Sequence, residues 1–210
     1  THSTSQIISI SGAHMTHVSC QGFRDEHEDQ IYQANNWENP FSNQVALFAM
    51  SDGSSARINE FRRIGHPGCV RMTLFGTEGS FEQNAHGALW LTKNRDEKKD
   101  LDALLDPSGQ PLKAEGGMGK ITSADGTHLG VAAVHPVERL PREFAGLPNG
   151  HAGSHQFLVD DFVKSCISGD LPSNNVWDAA RYVLPGLIAH ESALQGGALL
   201  PIPDLGDPPN

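Results

Sequence analysis

Two stretches of the 210-residue sequence gather side chains suited to polar chemistry. In Asn149-Gly-His151-Ala-Gly-Ser-His155, two histidines sit in a glycine-rich turn ahead of a predicted helix. Such a turn places imidazoles beside the backbone N–H groups that a helix N-terminus leaves without intrahelical partners, a setting for hydroxyl or anion recognition. The same residues also serve plain loop and capping chemistry. The second stretch is Ser51-Asp-Gly-Ser-Ser-Ala-Arg57-Ile-Asn-Glu-Phe-Arg-Arg63, which reads as a tight turn feeding a strand. On that strand Arg57, Asn59, Phe61 and Arg63 point one way, and Ile58, Glu60, Arg62 and Ile64 the other. Polar groups on both faces fit a sheet edge, a subunit interface or a ligand platform. Fixed planar donors suit polar ligands. Arg63 and His66 stand at the strand's exit and are expected to face a substrate cleft, because sites gather where strands end in loops. Arg57 and Glu60 are expected in cross-strand ion pairs or a subunit contact.

Other candidate chemistry is excluded. His14-x-x-His17 has metal-ligand residue types, but three positions along a strand put the two on opposite faces. The acidic run Asp25 to Asp29 around His27 reads as a solvated loop. No structural metal is expected. Cys20, Cys69 and Cys166 are widely spaced without a CxxC, and an odd count argues against a disulfide framework. Free thiols buried as packing residues, in a reducing cytoplasm, are expected. The formal net charge of -10 argues against a nucleic-acid backbone binder. No run of about 18 apolar residues is present for a membrane span.

The elements that must carry these residues fall into three parts. Short apolar runs separated by turns predict strands over Met15–Cys20, Val45–Met50, the charged segment, Arg71–Phe75, Ser80–Glu82 and Ala88–Thr92. Val45–Met50 is apolar at every position, as in a strand covered on both faces. Its place beside the charged strand argues against a free edge there. Lys93 to Pro148 reads as an irregular excursion, with a helical turn over Asp100–Leu105 and a hairpin near Lys120–Val131. The last third is helical. Ser154 is predicted to cap a helix over His155–Ser168, with Phe157, Leu158, Phe162 and Cys166 facing inward and Asp160 and Lys164 outward. Asn174 or Asn175 caps a second helix from Val176 to about Gln195, bent by Pro185, with Ala180, Leu184, Leu187 and Ile188 inward. Ala198–Pro203 reads as a proline-marked edge strand. The prediction is one α+β domain over residues 1–210: an open, mainly antiparallel sheet with helices on one face.

One ordered series of motifs resembles a known family. His2-Ser-Thr, Gly12, Val18-Ser-Cys20, Ile58-Asn-Glu-Phe-Arg-Arg-Ile-Gly65 and Met72-Thr-Leu-Phe-Gly-Thr-Glu-Gly-Ser-Phe81 come first. Phe157-Leu-Val-Asp-Asp-Phe162, Gly169-Asp-Leu-Pro172, Ala189-His-Glu-Ser192 and Pro201-Ile-Pro203 follow. Together they resemble the C-terminal domain of the Gfo/Idh/MocA oxidoreductases, NAD(P)-dependent sugar and polyol dehydrogenases. The resemblance implies a Rossmann domain placed before this one, with NAD or NADP in the full-length protein. It also implies a carbohydrate or polyol substrate, and a homodimer or homotetramer formed through the open sheet face.

The sequence departs from that family where the cofactor would sit. It has no Gly-x-Gly-x-x-Gly after a strand and no Glu-Lys-Pro motif. The chain opens without Met inside a predicted helix, which suggests an upstream portion, and no cofactor binding or redox activity is expected of this chain alone. By the resemblance, His2 falls where the family places its acid/base histidine, and loss of hydride from a carbinol carbon needs such a proton acceptor on oxygen. The stretch holding His151 and His155 is also similar to the Gly-His-Gly-Gly of an NAD-dependent glycosidase branch, though Ala152 and Ser154 replace that branch's Gly and Met. Two alternatives to a dehydrogenase half therefore stand: a glycosidase half and a non-catalytic interaction domain.

Overall fold

The computed structural model describes residues 1–25, 39–84, 87–94, 96–101, 135–147 and 153–208. In chain order the elements are α1 (His2–Ser11), β1 (Met15–Arg24), β2 (Phe41–Met50), β3 (Ser55–Phe61), β4 (Met72–Phe75), β5 (Gly79–Asn84), β6 (Gly87–Thr92) and β7 (Lys99–Asp100). Single 3-10 turns at Val137–Arg139 and Arg142–Phe144 follow, then α2 (Ser154–Ser168), α3 (Val176–Leu194) and β8 (Leu200–Pro201). They divide into two compact units, Thr1–Gly65 with Ser173–Asn210, and His66–Pro172. The α+β class and the antiparallel pairing are those read from the sequence. The strands, however, form two four-stranded sheets, β3-β2-β1-β8 and β4-β5-β6-β7, rather than one. The pairing of β3 ends at Phe61, and the segment leading on to β4 contains Gly65-His-Pro67-Gly68.

In the first unit β1 and β2 pair along nearly their whole length, Val18 opposite Phe48 and Cys20 opposite Ala46. The Asp-Gly turn forms as predicted. Gly53 takes φ 84°, and the Asp52 carboxylate accepts hydrogen bonds from the Ser54 N–H (2.9 Å) and hydroxyl (2.6 Å). Along β2 the burial alternates. Ala46, Phe48 and Met50 enter a core with Val18, Cys20, Ile8, Ala189 and Ala193, under α1 and α3. Val45 and Leu47 stay exposed, so the expectation of a strand covered on both faces is corrected: the helices cover one side. β3 stands at the end of the sheet order, which corrects the expectation that it is not an edge. Glu60 there pairs with Arg62 at 2.6 Å along the chain rather than across the strands. An edge tolerates polar groups on both faces, and charge there discourages unwanted pairing.

Asn175 caps α3 as predicted, accepting from the N–H groups of Trp177 and Asp178. α3 continues through Pro185, which is fully buried. Leu184 and Ile188 pack on the core as expected, but Leu187 is exposed. Ser192, with no exposed surface, fastens α3 to the sheet. Its hydroxyl accepts from Cys20 N (2.9 Å) and donates to the Ala198 carbonyl (2.6 Å). At the other end of β1, Gly22 lies against the buried Phe41 ring, where a Cβ would come within 2.4 Å of Cδ1. That ring packs edge-on to His190 and under the Arg24 guanidinium. β8 pairs His17 with Pro201 at the outer edge, the place where proline costs no ladder bond.

In the second unit Leu74, Phe81, Trp90 and Lys99 stand opposite one another across the sheet. Asp100, predicted to open a helical turn, belongs to β7. The rest of that turn and the predicted hairpin near residues 120–131 lie outside the described residues. α2 begins at Ser154, with Gly153 (φ 107°) rather than Ser154 in the capping position, and ends at Gly169 (φ 80°). Its predicted orientation holds for the exposed Lys164 but not for Leu158, Phe162, Cys166 or Asp160. Gln156 and Asp160 are buried, while Leu158, Phe162 and Ile167 are exposed. Polar partners meet both buried groups. Gln156 Nε2 donates to the carbonyls of Phe144 (3.4 Å) and Leu147 (3.3 Å), and the Asp160 carboxylate takes the Lys164 ammonium at 2.7 Å.

Candidate functional site

His2 lies exposed in the first turn of α1, in the first unit. α1 ends at Gly12 (φ 71°), whose N–H closes on the Ile8 carbonyl. Glycine is required there because an L side chain rarely adopts that conformation. α1 packs against α3 and touches β3. Thr4, 4% exposed, donates its hydroxyl to the Tyr182 carbonyl of α3 at 2.5 Å, and the Ser9 hydroxyl meets the Tyr182 phenol at 3.3 Å.

Arg63 also belongs to the first unit. Its Nε lies 3.3 Å from Oδ2 of Asp25, whose side chain is 3% exposed. The backbone at this exit is held by Asn43. Its Oδ1 accepts from the N–H groups of Arg62 and Arg63, both at 3.1 Å, and its Nδ2 donates to the Arg63 carbonyl at 3.2 Å. Sequence reasoning missed both partners, since the pairing of β2 with β1 and with β3 sets them beside Arg63 only in space.

His66 stands in the second unit. Arg71, which can only donate, reaches its Nε2 at 2.7 Å, so the Nδ1 proton goes to the Pro67 carbonyl at 2.7 Å. The exposed Cys69 sulfur is 3.8 Å from Nδ1. Cys69 and Cys166 are exposed, which corrects their reading as packing residues. Cys20 is buried, and burial pushes its thiol pKa up. His155 is exposed in the first turn of α2, and His151 lies outside the described residues. Thus His2 and Arg63 share one unit, His66 and His155 the other.

A polar cluster that the sequence did not signal joins the C-terminal segment to α3 and the start of β1. Arg181 reaches Asp204 at 3.2 Å and Asp207 at 3.0 Å, and His14 Nε2 lies 3.4 Å from Asp204. A shallow cleft here is lined by His14, Met15, Arg181, Ile202, Pro203 and Asp204. The Gly206 N–H, with the Arg181 guanidinium and His14, holds the Asp204 carboxyl below its usual range. Its polar groups are matched to one another, which makes the cleft a clasp for the chain end.

A dinucleotide needs a glycine-rich turn between a parallel strand and a helix N-terminus. The described strands pair only antiparallel, so no Rossmann unit occurs among the described residues.

Neither a family model nor a curated protein sequence matches the chain. Its fold is shared with solved dehydrogenase structures. An oxidoreductase domain protein from Kribbella flavida matches with TM-score 0.56 and 15% identity, over 96% of this chain and 49% of that one. Levoglucosan dehydrogenase in complex with NADH and levoglucosan gives 0.56 and 14%, over 97% and 49%. An inositol dehydrogenase homolog from Azotobacter vinelandii, complexed with NADH and myo-inositol, gives 0.52 and 12%, over 94% and 48%. The chain spans about half the length of these structures. The likeness first read from the motifs of the Gfo/Idh/MocA oxidoreductases is therefore matched by a likeness of fold. Among the described residues, no helix is long and apolar enough to cross a membrane.

Proposed function

We propose that this chain is the substrate-binding and oligomerisation half of a cytoplasmic NAD- or NADP-dependent oxidoreductase acting on a sugar or polyol. The observation that carries this reading is the fold, which matches about half of each dehydrogenase over nearly all of this chain. The nicotinamide, held by a Rossmann domain outside this chain, would supply the hydride acceptor. His2, exposed at the start of α1, takes the hydroxyl proton of the carbinol being oxidised. Arg63, His66, His151 and His155 hydrogen-bond the remaining hydroxyls.

Oligomerisation uses the open face of β1, β2 and β3. Phe23, Val45, Leu47 and Phe61 are exposed there, a stripe suited to a homodimer or, by repetition, a homotetramer.

The test uses the complete protein with NAD+ or NADP+ and a panel of polyols and sugars. Steady NADH or NADPH formation is expected, and His2→Ala should lower kcat by about 10²–10⁴-fold. Release of an aryl leaving group without NADH build-up would turn the reading to the glycosidase branch. A chain that assembles but binds no sugar would turn it to an interaction domain.

A further inference from the structure

We infer that Thr4 is the positioning residue for His2. The inference rests on the proposed role of His2 as proton acceptor.

The Tyr182 carbonyl of α3 receives the Thr4 hydroxyl at 2.5 Å. The Thr1 carbonyl lies 3.1 Å from the same hydroxyl, the longer of its two contacts. Tyr182 also meets α1 a second time, through its phenol and Ser9 at 3.3 Å. One residue of α3 thus touches α1 near both ends of its ten residues.

Position and rotation of a short helix are set by such fixed points. A helix this short is marginal alone and takes its stability from what it packs against. Each residue advances about 100° around the axis, so a hydroxyl held at position 4 also fixes the direction in which position 2 leaves the same turn. Ile8, buried on the core, supplies apolar contact without directional demand. The hydrogen bond supplies the direction.

The test uses the complete protein, assayed on the most active compound of a panel containing levoglucosan and myo-inositol. It compares Thr4→Val, Thr4→Ser, Ser9→Ala and His2→Ala. Thr4→Val keeps the shape and deletes the hydroxyl. It should lower kcat about tenfold to a hundredfold with KM within about twofold, as a misplaced catalytic group does. It should also raise amide hydrogen exchange across α1 while leaving β1 and β2 protected. Thr4→Ser should restore kcat to within about threefold, and Ser9→Ala should cost less than Thr4→Val. Loss of activity in His2→Ala with unchanged kcat in Thr4→Val would overturn this inference and leave the proposed function standing. Full activity in His2→Ala would overturn the proposed function and this inference with it. If Thr4→Val does not fold, Thr4→Ser decides: wild-type kcat and α1 exchange support the inference, and their loss overturns it.

Discussion

The two units place their apolar side chains in opposite ways. In the first, β2 sends Ala46, Phe48 and Met50 beneath α1 and α3, and the helices present Ile8, Ala189 and Ala193 in return. In the second, α2 turns Leu158, Phe162 and Ile167 to solvent and buries Gln156 and Asp160. Amphipathicity declares that a helix has two sides. It does not declare which side lies inward, because a buried amide and a buried carboxylate are tolerable once carbonyls and an ammonium meet them. The first unit is held by area, the second helix by directed bonds.

That contrast can be broken by substitution, most forcefully in the first core. Phe48→Ala should destabilise the chain by about 3–5 kcal/mol in chemical denaturation; a loss below about 1 kcal/mol would remove the distinction between the units. Ser192→Ala strands the Cys20 N–H and the Ala198 carbonyl, and should cost about 2–4 kcal/mol. Asn175→Ala removes the cap of α3 and should cost about 1 kcal/mol, read as a fall in melting temperature. Asp204 gives a smaller effect confined to acid. Its folded pKa lies below its unfolded one, so its stabilisation is present above the ordinary carboxylate range and is lost as pH falls through the depressed value. Asp204→Asn should flatten that limb of the stability–pH curve; an unchanged limb would dissolve the clasp. Smallest of all, Phe162→Ser should change stability by no more than about 0.5 kcal/mol. A loss above 2 kcal/mol would show that α2 is covered like the first core.

The particular residues explain which parts of this were legible in sequence. Asp52-Gly53 declared its turn, Asn175 its cap and Gly169 its helix end, because each acts on backbone within a few residues. The sorting of strands into two sheets was not legible, although Pro67 and Gly68 stood between β3 and β4, since alternation within a strand says nothing about its neighbours. The face that α2 buries was hidden for the same reason. The carbonyls that draw Gln156 inward belong to Phe144 and Leu147, in a segment whose course no periodicity announces. Of the candidate site, the family resemblance marked His2, and the exit of the charged strand marked Arg63 and His66. Asp25, Asn43 and Arg71, which hold the latter two, become neighbours only after the chain folds.

Gly22 carries a consequence for how this sequence can drift. Its requirement is steric, because even a methyl group would run into the Phe41 ring, and that ring has His190 at its edge and Arg24 above it. A library randomised at position 22 alone should return glycine, whereas one randomised at 22 and 41 together should return pairs in which a smaller residue at 41 admits a larger one at 22. Inheritance at these two sites is joint, and the unit of variation is the pair.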